Sequence, residues 1–238
     1  MEWSDEAVVL SVRPHGETAA VAELFTRAHG RHLGLVHGGR SRRLRPLLQT
    51  GNHVSATWKA RLADNLGHLT LELLEPHAAK LLDDPPALAA LGSMASLARL
   101  LAERDPHPSL FEVTLFVLGF MGDRDVWPAL LVRWELALLE ELGFGLDLTT
   151  CAATGGSDDL VYVSPRTGRA VSREAGAPYA ERLLALPGFL APAGIRTASR
   201  EDVRAGFALT GYFLEARILR PREMVLPDAR QRMLSYLA

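Results

Sequence analysis

The chain of 238 residues has one cysteine, Cys151. A single cysteine excludes a disulfide bond within the chain and any zinc site built from several of its own cysteines. The first residues lack the basic flank and apolar core of a signal peptide, and no apolar run approaches the roughly 18 residues that span a bilayer. We therefore expect a cytoplasmic protein without membrane contact.

Sequence motifs of common enzymes are also missing. The chain has no phosphate-binding glycine-rich loop that ends in Lys-Ser or Lys-Thr, no dinucleotide fingerprint and no Gly-x-Ser-x-Gly elbow. Thr150 and Ala152 flank Cys151 and supply neither a base nor a positive charge, which favours an inert cysteine over a nucleophile. We expect no catalytic residue, no cofactor and no metal ligand, and an enzyme that uses Cys151 is the weakest alternative.

Positive charge is concentrated near the N-terminus. Between residues 13 and 61, nine arginines and lysines face only Glu17 and Glu23, and nine minus two gives plus seven in a chain whose net charge is −2. Such a segment is typical of a surface that binds the phosphates of nucleic acid. We predict that the DNA-binding residues are Arg13, Arg27, Arg31, Arg40, Arg42, Arg43, Arg45, Lys59 and Arg61.

Seven of the eight histidines precede residue 80. Spacings such as His29 to His32 do not gather metal ligands across a glycine turn, so a metal site is the less favoured interpretation. We expect surface histidines that make this end of the chain more basic when the pH falls.

The pattern of apolar residues predicts an α+β protein of more than one domain. Alternation at period two predicts five strands, at about 6–13, 18–27, 31–37, 52–60 and 67–75. Five short strands are best accommodated by a closed barrel, and an OB-fold over residues 1–78 fits their number and length.

A mostly helical domain is expected over residues 79–238. Apolar spacing of three and four residues predicts helices around 88–101, 110–121 and 127–142, and again over 199–219 and 227–237. Residues 144–178 lose this spacing and contain a short apolar strand at 160–163, which indicates an irregular inserted module.

Two features of the barrel have a functional and a structural interpretation. Gly38 and Gly39 precede four arginines at 40, 42, 43 and 45, whose planar groups suit phosphate and can stack on unpaired bases. The alternative is a solvated loop that is basic by chance. Trp58 lies on the fourth predicted strand, next to Lys59. Its side chain is expected in the barrel core rather than stacked on a base.

Two sets of motifs stand out by their order and spacing. The N-terminal motifs are Glu6-Ala7-Val8-Val9-Leu10, Arg13-Pro14-His15-Gly16-Glu17-Thr18, Leu24-Phe25-Thr26-Arg27, His29-Gly30-Arg31 and Gly38-Gly39-Arg40. The second set is Arg133-Trp134-Glu135-Leu136-Ala137-Leu138-Leu139 followed by Leu142-Gly143-Phe144. Together these motifs resemble the RecO family of bacterial recombination-mediator and DNA-repair proteins.

The resemblance implies an OB-fold that binds single- and double-stranded DNA, followed by a helical domain. It implies contact with RecR and with the acidic C-terminal tail of single-strand-binding protein. It also implies annealing of complementary strands, help in loading RecA onto coated DNA and a location at the nucleoid. The rival hypothesis is a scaffold whose basic barrel docks an acidic protein and never binds DNA.

The chain departs from the family at a zinc-finger-like module. Many members carry two Cys-x-x-Cys pairs, whereas this chain keeps Cys151 and has Thr154, Ser172 and Ala175 at the other three positions. Because one thiolate does not hold a structural zinc, we predict a metal-free module over about 144–178. Its packing is expected around Tyr162, Val163 and Val171.

Arg133 is a further candidate, on an apolar helix. The resemblance implies that its guanidinium holds the terminal carboxylate of the single-strand-binding protein tail, and that a hydrophobic groove beside it holds the terminal Phe. The alternative is a helix cap or an ion pair with Glu135 or Asp147.

Overall fold

The computed structural model describes residues 1–62, 65–192 and 197–237. The chain divides into two compact units. The first contains Met1–Arg124 with Pro227–Met233, and the second contains Asp125–Leu226 with Leu234–Ala238. This division falls later than the predicted domain boundary at residue 78, which stays a prediction.

A closed five-stranded barrel forms the start of the first unit. Its strands are β1 (Glu2–His15), β2 (Ala19–Thr26), β3 (Gly30–Val36), β4 (His53–Lys59) and β5 (His68–Glu75), in the spatial order β1-β2-β3-β5-β4. Neighbouring strands are antiparallel except β3 and β5, which pair in parallel through Leu35 and His68. All five predicted strands are confirmed.

The long first strand closes the barrel. Residues Glu2 to Val8 of β1 pair with β4, whereas Ala7 to His15 pair with β2, and the register shifts between Val9 and Ser11. Such an irregularity bends a strand, so one continuous strand serves two neighbours.

Alternate residues of β3 and β4 face the barrel interior, as period-two geometry requires. Trp58 is 2% exposed, and its Nε1 donates to the carbonyl of Leu66 at 3.1 Å, which confirms the core interpretation. Gly67 has a φ of +65°, and a Cβ there would lie 2.4 Å from the Trp58 ring. Only glycine therefore fits this close approach.

Three helices follow the barrel in the first unit: α1 (His77–Lys80), α2 (Pro85–Ala98) and α3 (Pro108–Phe120). Proline begins α2 and α3, where the missing amide hydrogen costs no intrahelical bond, and the Asp84 carboxylate caps α2 by accepting from Ala87 N. The ring centroids of Phe111 on α3 and Phe25 on β2 lie 5.6 Å apart.

The second unit begins with α4 (Trp127–Glu141), which ends before Gly143 with its φ of +83°. Strands β6 (Leu160–Val163), β7 (Ala170–Ser172) and β8 (Leu184–Ala185) form a sheet in the order β7-β6-β8, and α5 (Arg173–Gly176) follows β7. Helix α6 (Arg200–Phe213) starts with a Ser199–Asp202 capping box and continues as a π-helix over Leu214–Leu219.

The last helix is α7 (Asp228–Tyr236), and Ala177–Arg182, Gly188–Leu190 and Arg220–Arg222 are short 3-10 helices. The predicted helices and the strand at 160–163 are confirmed, whereas β7, β8 and α5 were not predicted. Throughout the described ranges, no helix has the length and apolar character that crossing a membrane requires.

Candidate nucleic-acid interface

The basic loop, residues 40–45, lies between β3 and β4. Its backbone makes a helical turn, with Arg45 N donating to Ser41 O at 3.1 Å and Leu48 N donating to Leu44 O at 3.0 Å. Leu44 and Leu48 pack against the barrel core. The leucines therefore fix the turn, and the four arginines between and beside them remain exposed.

Arg40 ties the basic loop to the turn between β1 and β2. Its Nη1 donates to the carbonyls of Gly16 at 2.9 Å and Glu17 at 2.8 Å, and its backbone N donates to Thr18 O at 3.1 Å. Arg40 thus adds positive charge to this surface and also holds two loops together.

A cleft of about 490 Å³ opens beside the basic loop. The end of β1, the start of β2 and the residues after β3 form its walls. The lining residues are Val12, Pro14, Ala20, Gly39, Arg40, Arg45, Leu48 and Gln49. Two of them are cationic and none is acidic, so the cleft suits an anionic ligand with an apolar part.

Three of the nine predicted DNA-binding residues already have carboxylate partners. Lys59 pairs with Glu2 at 3.0 Å on the exposed surface. Arg27 pairs with Glu6 at 2.9 Å and with Glu112, and its guanidinium lies 5.2 Å from the centre of the Phe111 ring. The hydrogen bond from Arg27 raises the pKa of its guanidinium and lowers the pKa of Glu6.

Arg31 belongs to an ion network around the buried carboxylate of Glu23. It pairs with Glu23 and, at 3.7 Å, with Glu103, and its Nε donates to Leu101 O at 3.0 Å. Glu23 is 4% exposed and also accepts from Arg99 at 2.7 Å. Burial raises the pKa of Glu23, but hydrogen bonds from Arg31 and Ser11 outweigh it and lower the pKa overall.

The other six cations have no carboxylate partner in the part of the chain that the structure describes. Arg13, Arg42, Arg43 and Arg45 are exposed around the basic loop and the end of β1, and Arg61 is exposed just beyond β4. Arg40 bonds only to carbonyl oxygens, which leave its charge intact. Two of these six cations, Arg40 and Arg45, line the cleft, and Arg42 and Arg43 lie on the same loop.

The prediction that the histidines lie on the surface is wrong for His32 and His77. Both are buried, at 5% and 4% exposure, and burial lowers the pKa of each. His32 packs edge-on against Trp3 and Trp58, and burial, with the nearby charge of Arg104, lowers its pKa to about 4. Both side chains therefore gain their positive charge at a lower pH than a surface histidine does.

Arg133 is exposed on α4 in the second unit, beside a pocket of about 250 Å³. Its Nη2 donates to the carbonyl of Phe189, and its guanidinium lies 5.7 Å from the centre of the Phe189 ring. Glu135 bonds to Thr210 and Asp147 pairs with Arg169, so neither of the suggested ion pairs is formed. The pocket lining is Arg133, Leu136, Ala137, Glu140, Leu146 and Leu148.

The donor set at the zinc-finger-like positions does not fit zinc. Cys151 is 1% exposed, its Sγ accepts from Ser172 N at 3.3 Å, and Ser172 Oγ lies 3.5 Å away. Burial raises the pKa of the thiol, but hydrogen bonds from Ser172 and Thr154 outweigh it and lower the pKa to about 6. Within the described ranges, no three His, Cys, Asp or Glu side chains form a group that would hold a metal.

Both halves of the chain match family models. Residues 1–77 match "Recombination protein O N terminal" and residues 82–224 match "Recombination protein O C terminal".

Relatives named "DNA repair protein RecO" are similar over nearly the whole chain. The protein of Methylorubrum populi is 53% identical over 240 residues, which cover 99% of this chain and 98% of the relative. That of Rhodospirillum centenum is 56% identical, with 98% and 93% covered, and that of Brucella abortus strain 2308 is 50% identical, with 99% and 95% covered. These names support a role in DNA repair.

Proposed function

We propose that this chain, which belongs to the RecO family, acts in recombinational DNA repair by binding DNA on its N-terminal barrel. The observation that carries the proposal is the exposed basic loop, whose arginines have no carboxylate partner among the described residues. Charge left unpaired on a surface is available for phosphates, and their neutralisation releases counterions.

The barrel topology supports an OB-fold. Five strands close in the order β1-β2-β3-β5-β4, with one long strand shared between two neighbours, and five-stranded Greek-key barrels of this kind bind oligonucleotides. We assign DNA binding to residues 1–78, a helical domain to residues 79–238, and a zinc-finger-like module without its cysteines to about 144–178.

Within the predicted set of nine, we assign the phosphate contacts to the six cations without carboxylate partners. These are Arg13, Arg40, Arg42, Arg43, Arg45 and Arg61. Arg27 and Arg31 act as supports in this proposal, because their ion pairs hold the barrel to neighbouring segments. Lys59 adds a weaker contact, since its pair with Glu2 is exposed and exchanges readily with solvent ions.

The proposed activity needs no bond-making chemistry, and we assign no enzymatic activity. A surface that neutralises phosphates without reading bases would hold two complementary strands near each other and so promote their annealing. By its family, the chain would act with RecR, bind single-strand-binding protein and help load RecA on coated DNA. Its place of action would be the cytoplasm, at the nucleoid.

Arg133 is the proposed site for the acidic tail of single-strand-binding protein. Leu136, Ala137, Leu146 and Leu148 give the adjacent pocket an apolar wall suited to the terminal Phe, and the Arg133 cation suits the carboxylate. Phe189 holds the guanidinium in place through its carbonyl and ring.

The test of DNA binding compares wild type with a variant in which Arg42, Arg43 and Arg45 are changed to Gln. This variant spares Arg40, so the link to the turn between β1 and β2 stays intact. A matched control carries Arg200, Arg204 and Arg222 changed to Gln, which removes the same charge from exposed positions of the second unit.

Fluorescence anisotropy of a labelled single strand at low salt should show at least about tenfold weaker binding for the loop variant and a much smaller loss for the control. Equal losses of affinity in the two variants would show that the basic loop is not the DNA-binding site. If wild type bound neither this single strand nor a duplex of the same length, the scaffold hypothesis would be favoured. The acidic partner would then be sought.

A further inference from the structure

The cleft beside the basic loop has more apolar wall than phosphate binding requires. Val12 and Leu48 both pack on the barrel core and line it, and Pro14 is exposed at its mouth. A phosphodiester gains nothing from aliphatic side chains. A flat apolar group attached to that backbone does gain, because its faces leave water when they are covered.

The size of the cleft also fits a small organic group rather than a single ion. Its volume of about 490 Å³ lies within the range of roughly 300–1,000 Å³ that is typical of small-ligand sites. A nucleobase with part of its sugar is a ligand of this class. The basic loop attracts the phosphates of DNA, and the nucleobase is the apolar part of the same polymer.

The cleft is built before a ligand arrives. Arg40 fixes one wall to the turn between β1 and β2 through Gly16 and Glu17. Asn52, which is 1% exposed, fixes the far end of the loop by donating from Nδ2 to Pro46 O at 2.8 Å and Leu47 O at 3.2 Å. Preformed walls reduce the entropy lost on binding.

The charge around the cleft matches a nucleotide. Arg40 and Arg45 are in the lining, Arg42 and Arg43 lie on the same loop, and no lining residue is acidic. The planar guanidinium of Arg45 can stack on a base or bond to its phosphate, and arginine serves both purposes in single-strand recognition.

We propose that this cleft binds one unpaired nucleobase of a DNA strand whose phosphates contact the basic loop. The inference rests on the proposed function and adds a preference to it. A paired base is stacked within the duplex and offers no free face, so the cleft makes the barrel favour single strands over double strands.

The test separates the base from the backbone. The probes are a fluorescent oligothymidylate and an abasic strand of the same length and charge, and the proteins are full-length chains. Ala20→Ile fills the cleft from β2, and Val12→Met fills it from β1, which keeps the test valid if Ala20→Ile folds poorly. Neither change adds an aromatic face on which a base could stack. Thr70→Met, at an exposed position of β5 outside the cleft, is the matched control.

Wild type and Thr70→Met should bind oligothymidylate at least about fivefold more tightly than the abasic strand, because base stacking adds to the backbone contacts. Ala20→Ile and Val12→Met should bind both strands with the abasic affinity.

Equal, salt-sensitive binding of both strands by wild type would overturn the base site and leave the proposed function standing. A base preference that survives in a folded cleft-filling variant would also overturn it. Failure to bind either strand would remove the proposed function and the base site together.

Discussion

The Nη1 atom of Arg40 lies 2.9 Å from the carbonyl oxygen of Gly16, so the first arginine of the basic loop is bonded to the turn between β1 and β2. A residue that looks like a phosphate ligand in the sequence is therefore also a structural link. The arginines that follow it differ, because no such link holds Arg42 or Arg43 in the described structure.

Arg40→Gln should loosen the turn at residues 14–18 and the loop together. Hydrogen–deuterium exchange should show faster exchange at the amides of both segments, while Arg42→Gln, the matched control with the same loss of charge, should leave exchange unchanged. Identical exchange in the two variants would contradict the linking role of Arg40.

Arg31→Ala should cost stability rather than DNA affinity. Removing one partner of the buried Glu23 carboxylate should lower the free energy of unfolding by about 2–4 kcal/mol, measured by urea titration. Arg42→Ala should change stability by no more than about 0.5 kcal/mol, and it should reduce the salt slope of single-strand binding by about 0.7. The assignment fails if Arg31→Ala reduces the salt slope as Arg42→Ala does.

His32 should make stability depend on pH. Its pKa is about 4 in the folded chain and 6.5 as an ordinary histidine, so between these values the unfolded chain binds more protons than the folded one. Stability is then fully present above pH 6.5 and falls as the pH drops towards 4, by about 3 kcal/mol for this group. His77 shifts in the same direction and adds to the loss.

The measurement for His32 is the difference between wild type and His32→Phe across this pH range. Phenylalanine keeps the edge contacts with Trp3 and Trp58 and does not titrate. The variant should lose less stability than wild type as the pH falls, and parallel curves would show that His32 is not the cause.

The module around Cys151 should fold without metal. A strong chelator should leave the melting temperature unchanged, and elemental analysis should find far less than one zinc per chain. Cys151→Ser should be better tolerated than Cys151→Val, because the hydroxyl can keep the bond from Ser172 N, whereas valine leaves that buried donor without a partner. A chelator-dependent loss of structure would contradict this account of the module.

Arg133→Ala should weaken binding of a fluorescent acidic tail peptide that ends in Phe by about tenfold or more, because a charge-assisted bond to its carboxylate is lost. Arg204→Ala, an exposed arginine on α6, is the control and should bind like wild type. Unchanged affinity in Arg133→Ala would remove Arg133 from the site.

The strands and most helices were predictable because each follows from a local period. The same period did not reveal the burial of His32, because Leu33 and Leu35 alternate with it and the sequence favours the leucines as the inward face. In the structure His32 is buried on the inward face of β3, and the two leucines are only partly buried. The ion pairs of Arg27 and Arg31 were not predictable from a count within residues 13–61. Three of their four partners, Glu6, Glu103 and Glu112, lie outside that segment and reach it only through folding, whereas Glu23 lies inside it.

The cleft could not be predicted from the sequence either, because Val12, Ala20 and Leu48 belong to three separate segments that meet only in the closed barrel. The arginines of residues 40–45 did stand out in the sequence. Whether these arginines are available to a ligand depends on where the acidic residues lie, and only the folded structure gives those positions.

The proposed function depends on DNA phosphates binding to the barrel arginines that have no carboxylate partner among the described residues. The most direct test is the binding constant of a short labelled single strand measured at several salt concentrations. If about five phosphates are neutralised, a plot of the logarithm of affinity against the logarithm of salt concentration should have a slope of about −3.5. A flat dependence, or no binding at low salt, would contradict the account.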